Sequence, residues 1–165
     1  MKQLVLIRHA KTESIYNANS DFERQLEQRG IDDAKQIAQD LLNNDYTPQL
    51  IICSNAVRAL QTAQTMAETI DYTISHIQQE RFIYDGYTTG EFLDFIGKID
   101  NQINSIWIIG HNPDIAMLAT KLTNDDFDHY PTSAAAVISF DANKWTDVAA
   151  RSGKTIHFIT PKQIK

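Results

Sequence analysis

Two short apolar runs in this chain each end in a histidine. Leu4-Val5-Leu6-Ile7 leads into Arg8-His9-Ala10, and Ile106-Trp107-Ile108-Ile109 leads into Gly110-His111-Asn112. Continuous runs of strand-forming residues bounded by polar sequence read as strands buried on both faces. Between and around them the period changes. Ile31, Ala34, Ile37, Ala38 and Leu41 recur at helical spacing and predict a helix over 27–43. Leu50-Ile51-Ile52-Cys53, after the turn signal Thr47-Pro48, predicts a second buried strand, and Ser54 is placed to cap a helix reaching 70. A shorter strand is expected over 71–77, a loop over 78–89 and an amphipathic helix over 90–101. A further helix is expected over 113–122, where Pro113 suits the first turn. The segments 135–140 and 155–159 read as closing strands. Strands alternating with helices imply an α/β fold: one three-layer domain over 1–165, with a mostly parallel sheet flanked by helices and antiparallel closing strands.

In such a sheet the carboxyl ends of the strands form the rim where ligands bind. That places His9 and His111 together on the rim, with Arg8 beside the first. Net charge decides what kind of ligand this favours. The 165 residues carry a formal charge of −6 and a pI near 5.2, so no overall field draws nucleic acid or an anionic membrane. An anion must be held by positive charge concentrated locally. Arg58 adds to it, falling in the first turn of the helix after the second strand. A cation there opposes the helix dipole, and the conflict is relieved when an anion shares the site. A neutral imidazole carries a lone pair that can accept a phosphoryl group, while a second imidazole donates to a phosphoryl oxygen.

Other readings of these residues stand beside that one. Two strand-end histidines can be satisfied by backbone groups alone. A metal site built from His9, His111 and Asp114 is disfavoured by two adjacent guanidiniums. Arg24, in the charged run 21–29, also reads as part of a solvated face, and Glu80 as an exposed carboxylate. Thr132 and Ser133 either reach the anion or simply begin a strand. His76, His129 and His157 have no supporting neighbours. The single cysteine, Cys53, excludes an intramolecular disulfide and a multi-cysteine zinc site, and reads as a small buried hydrophobe. No P-loop and no dinucleotide glycine fingerprint is present. The apolar run after Met1-Lys2-Gln3 is too short for a signal peptide, and no stretch has transmembrane length, so a cytoplasmic protein is expected.

Several segments also carry a family likeness. Leu6-Ile7-Arg8-His9-Ala10, Ser54 with Arg58-Ala59 and Gln61-Thr62, and Gly110-His111 resemble the histidine phosphatase superfamily, with its phosphoglycerate-mutase-like fold. Pro131-Thr132-Ser133-Ala134, and Arg24-Gln25-Leu26 with Gly30, extend the likeness towards its short bacterial phosphohistidine phosphatases of the SixA type. The resemblance implies that His9 is the nucleophile, with Arg8, Arg58 and His111 forming the phosphate pocket and Arg24 as a further ligand. It implies no metal and no cofactor. Members that expel an alcohol add a carboxylic acid from the region after the third strand, where Glu80 is the candidate and Asp85 the fallback. The substrates implied are a phosphorylated protein carrying phosphohistidine or, alternatively, a small phosphorylated metabolite such as a sugar phosphate. A mutase and a non-catalytic phospho-binding module are the remaining alternatives. Three departures from the family pattern matter. Ala10 replaces a glycine, which requires a position without positive φ. Glu27 replaces a threonine at a helix start. No long insertion covers the site, which suits a bulky substrate.

Overall fold

The two histidine-bearing runs become neighbouring central strands, and most of the architecture follows from that pairing. β1 (Lys2–Arg8) and β4 (Ser105–Gly110) run parallel with Ile7 opposite Ile109 and Arg8 opposite Gly110. The computed structural model describes residues 1–164; Lys165, the last residue of the expected domain, lies outside the described residues. Among the described residues the sheet has six strands in the order β3-β2-β4-β1-β5-β6, with β2 at Leu50–Ser54, β3 at Gln78–Glu80, β5 at Ala135–Phe140 and β6 at Lys154–Ile159. The first four are parallel. β5 lies antiparallel to β1, and β6 antiparallel to β5, as expected for the closing strands.

Both faces of the central strands are covered, which is why their sequences are apolar without alternation. Leu4, Leu6, Ile52, Ile106 and Ile108 enter one core with Ile83, Phe92, Ile115 and Leu118. The helices on that face are α3 (Arg81–Asp85), α4 (Thr89–Ile96) and α5 (Asp114–Thr123). Val5, Ile7, Ile51, Cys53, Trp107 and Ile109 enter the other core, against Ile37, Leu41, Ala63 and Met66 of α1 (Gln28–Asn43) and α2 (Val57–Thr69). A short α6 (Pro161–Ile164) closes the described chain. The result is the three-layer α/β domain that the alternating pattern implied. Among the described residues no helix is long and apolar enough to cross a membrane.

The edge of the sheet departs from expectation. The segment expected to be a strand over 71–77 contains a 3-10 turn at Ile74–His76, and the strand begins later, at Gln78. Tyr72 explains the shift: its hydroxyl accepts from Ile51 N–H at 3.2 Å and donates to His76 O at 3.1 Å, so this stretch braces β2 rather than pairing with it. The expected loop over 78–89 instead holds β3 and α3. Gln78-Gln79-Glu80 pairs with β2 through its backbone, and a polar edge strand leaves no apolar pattern to read. α4 is shorter than expected, because a Thr88–Glu91 capping box starts it and Gly97 caps its end.

Ser54 does not cap α2. It ends β2, and the N-cap is Ala56, whose N–H is taken by the Ser54 hydroxyl. Glu27 is the N-cap of α1 without a side-chain bond. Two residues near the first strand end fit tightly. Ala10 is fully buried, is not among the residues with positive φ, and its methyl joins the second core, so the missing glycine costs nothing. Gly30 allows α1 to lie against the chain leaving β1: a Cβ there would sit 2.2 Å from Lys11 O.

Candidate active site

The register of β1 on β4 brings the two imidazoles to the same rim. His9 N–H donates to Gly110 O at 3.0 Å, and the His9 and His111 ring centroids lie 5.2 Å apart. His9, Arg58 and His111 are only 7–8% exposed. Together with Arg8, Arg24, Lys11, Thr12, Asn112 and Thr132 they line one cavity of about 340 Å³. Side chains from the β1 end, the following loop, α2 and the β4 end therefore converge. Four residues read from the sequence as central (Arg8, His9, Arg58 and His111) meet here, and Arg24 joins them.

The link between these segments is made by residues whose sequence role was only a family likeness. Thr62 on α2 accepts from Ala10 N–H at 2.9 Å and donates to Arg58 O at 2.8 Å. Gln61 accepts from Leu26 N–H at 2.8 Å, and Thr12 pairs with Leu26 as an isolated antiparallel bridge. These bonds carry Arg24 back to the site, where its guanidinium donates to Thr12 Oγ1, Glu13 O and Asp21 Oδ1. Arg24 is thus held in the site, not left on a solvated face.

His9 has a defined orientation. Its Nδ1 lies 2.8 Å from Ala10 O. A carbonyl only accepts, so Nδ1 carries the proton and Nε2 carries the lone pair. Burial is the main force pushing His9 down to about 3. The Ala10 bond opposes it, and His111, Arg58 and Arg8 add to it. His111 is pushed down to about 4, again mainly by burial, with Arg58 and Arg8 adding and Asp21 opposing. Burial also lowers Arg8. Both rings are neutral near pH 7 in the unliganded site.

Polar groups without a partner concentrate at this place. Arg8 Nε, Arg58 Nε, His111 Nδ1, Asn112 Oδ1 and Ser133 Oγ are all shut off from solvent and unpaired. Native interiors leave few such groups, and a cluster of them marks a site completed by something else. Four of the five belong to residues lining the cavity, and three of these are nitrogens of cationic or imidazole side chains, as an anion requires. Ser133 works through its backbone. At φ 64° its N–H reaches both Arg8 O and His9 O at 3.1 Å, so it pins the β1 end.

Asp21 and Tyr84 were not singled out in the sequence. Asp21 accepts from Arg58 through its backbone oxygen (2.7 Å) and its carboxylate (3.0 Å), and Tyr84 donates to the same carboxylate at 3.0 Å. Burial alone would raise Asp21; bonds from Arg24 and Tyr84 and the Arg58 charge outweigh it and hold the carboxyl below its ordinary value. An aspartate in a charged surface run gives no signal of this kind.

The carboxylates read as candidate acids do not line this cavity. Glu80 ends β3 opposite Ser54 and is not among the cavity-lining residues. Asp85 is exposed and pairs with Arg81 at 3.3 Å. Asp114, the third ligand of the alternative metal reading, lines a separate, less polar cavity of about 440 Å³ with Tyr87, Met117 and Lys121. Among the described residues no three His, Cys, Asp or Glu side chains gather as a metal site requires. His157 bonds Asp40 at 2.8 Å, far from the rim in the sheet. Cys53 is buried, and its thiol is pushed up to about 12 by burial.

Comparison with known proteins agrees with this geometry. Residues 4–83 match the model of the histidine phosphatase superfamily, branch 1. An uncharacterized chloroplastic protein of Arabidopsis thaliana is 28% identical, over 92% of this chain and 72% of its own length. The protein histidine phosphatase SixA complexed with tungstate shares the fold at a TM-score of 0.84 and 21% identity, covering 99% of each chain. A candidate phosphohistidine phosphatase SixA from Agrobacterium tumefaciens superposes with a TM-score of 0.80 at 26% identity, over 97% of this chain and 99% of that one. With a SixA-like fold and the Arg8-His9 strand end inside the matched region, this chain is similar to members of the histidine phosphatase superfamily.

Proposed function

We propose that this protein is a phosphatase that passes a phosphoryl group through His9, and that its substrate is phosphohistidine on a protein. One observation carries the reading. The His9 proton is committed to Ala10 O, so the Nε2 lone pair belongs to a cavity that Arg8, Lys11, Arg24 and Arg58 make strongly cationic. A phosphoryl dianion satisfies the unpaired nitrogens of Arg8 and Arg58. The Nε2 lone pair then attacks phosphorus in line, and the P–N bond of the substrate breaks with its electron pair returning to the leaving imidazole. Water attacks the phosphorylated His9, its oxygen bonds to phosphorus, and phosphate leaves as the pair returns to Nε2. Arg8, Arg24, Arg58 and His111 stabilise the charge on the equatorial oxygens in both steps.

The leaving group favours phosphohistidine over an ester. No described residue lining the cavity is a carboxylic acid. A phosphoimidazole protonated on its far nitrogen departs as neutral imidazole and needs no proton from the enzyme, whereas an alkoxide does. The absence of a long covering insertion suits a substrate held on another protein. No metal takes part in this scheme, and chelation should leave turnover unchanged.

The test is a turnover panel of a phosphohistidine peptide, a sugar phosphate and an aryl phosphate, run with rapid acid-free quenching to trap the phosphoenzyme. Preferred hydrolysis of the peptide, through an acid-labile and base-stable adduct that disappears in His9→Ala, supports the reading. Faster sugar phosphate turnover replaces it with a small-molecule phosphatase. An adduct that persists in His9→Ala overturns the nucleophile.

A further inference from the structure

His9 and His111 are the same side chain facing the same cavity, yet their surroundings turn opposite groups toward it, a lone pair from His9 and a donor from His111. For His111 the deciding partner is Ser54. This serine is fully buried at the end of β2, and its oxygen makes two contacts: it accepts from Ala56 N–H at 3.1 Å and lies 2.7 Å from His111 Nε2. The Ala56 bond uses a lone pair of the hydroxyl, so its single proton has one acceptor within reach, His111 Nε2. The opposite arrangement, Nε2–H donating to Ser54, leaves a buried O–H with no acceptor, which proteins avoid. His111 Nδ1 has no protein partner and is shut off from solvent on a ring that lines the cavity.

We infer that Ser54 is a positioning residue that fixes His111 as the Nδ1–H tautomer, so that this ring presents a donor to the phosphoryl group while His9 presents a lone pair. This deepens the proposed phosphatase reading and rests on it for its catalytic consequence. The backbone supplies the reason for the device. Ala56 N–H is the first orphan donor ahead of α2, and Ser54 satisfies it without serving as N-cap, so one hydroxyl joins the helix start that carries Arg58 to the orientation of His111. Without the hydroxyl, an isolated neutral imidazole exchanges between two tautomers, and the form with a lone pair on Nδ1 repels a phosphoryl oxygen.

The experiment is ¹⁵N-detected histidine NMR on the intact chain, wild type and Ser54→Ala, paired with steady-state kinetics on an aryl phosphate. In the wild type, His9 and His111 should both show a protonated Nδ1, with the Nε2 of His111 shifted by an accepted hydrogen bond. Ser54→Ala should convert His111 to a tautomer mixture and lower kcat about 10- to 100-fold, less than the loss of a whole donor, with a smaller change in KM. Ser54→Thr, which restores the hydroxyl, should recover both signals. A protonated Nε2 on His111 in the wild type overturns the inference without any variant. So does an unchanged kcat in a folded Ser54→Ala. If the wild type hydrolyses none of the substrates, the phosphatase reading falls while the tautomer assignment is judged by NMR alone.

Discussion

Asp21 holds both terminal nitrogens of Arg58, Nη1 through its backbone oxygen at 2.7 Å and Nη2 through its carboxylate at 3.0 Å. Only Nε of that guanidinium is left unpaired and buried. The acid therefore sets the angle of the fork and decides which nitrogen is free for an anion. Tyr84 and Arg24 share the same carboxylate, so a single aspartate coordinates two of the three arginines.

Removing Arg58 should be far more damaging than removing its holder. Arg58→Ala should lower kcat/KM about 100- to 1,000-fold, the usual cost of one preorganised donor. Asp21→Ala leaves the cation but frees its orientation, and about a tenfold loss is expected, chiefly in kcat through misplacement. Steady-state kinetics of the two variants on one substrate checks this; equal losses would show that the aspartate has a further role.

Acid should destabilise the unliganded protein through its two rim histidines. Their folded values, about 3 for His9 and about 4 for His111, lie below the 6.5 of an exposed imidazole. The unfolded chain then takes up protons first as pH falls, so stability is intact above about 6.5 and drops through a window that reaches down to about 4 for His111 and about 3 for His9. Each ring contributes about 1.4 kcal/mol per pH unit within that window. Urea unfolding at pH 7 and pH 5 measures the loss, and His9→Gln should make the pH dependence shallower.

An oxyanion should complete the site. Tungstate or phosphate at a hundredfold excess over its Kd should stabilise the fold by about 2.7 kcal/mol. The shift should vanish in Arg58→Ala and survive in Arg81→Ala, whose arginine pairs with Asp85 outside the cavity. Thermal unfolding with and without the ion is the measurement, and a shift retained in Arg58→Ala would place anion binding elsewhere.

Glu80→Gln tests the acid named by family likeness. Should Glu80 serve ester substrates, this variant slows the aryl and sugar phosphates and spares phosphohistidine. Its position at the end of β3, outside the cavity lining, leads us to expect the ratio of the two activities to stay constant.

Gly30→Ala should cost about 1–3 kcal/mol, as overpacking does in a tight contact. The new methyl meets the Lys11 backbone and pushes on the segment leaving His9, so activity should fall with stability. Chemical denaturation and kinetics on one preparation test both effects.

The sequence was readable where chemistry and periodicity coincided. The strand ends at His9 and His111 and the first turn carrying Arg58 could be placed from local pattern, because an apolar run fixes where a buried strand stops. The convergence of Arg24 has no local signature, since it depends on Thr12, Leu26 and Gln61 meeting across three segments. β3 was missed because its residues are polar and its existence depends on pairing with β2. Asp21 and Tyr84 were missed for a related reason: an aspartate's role in holding two arginines is set by long-range geometry, not by its neighbours in sequence. Position alone marks Ser54 as a helix cap, and the fold uses its hydroxyl for a different purpose.

The unpaired atoms at the rim carry an evolutionary consequence. Arg8 Nε, Arg58 Nε, His111 Nδ1 and Asn112 Oδ1 are stripped of water and given nothing in return by the fold itself. A chain selected for robustness alone would not keep them, since each buried polar group left unpaired costs stability. Groups this costly, gathered at one rim, point to a ligand that completes them.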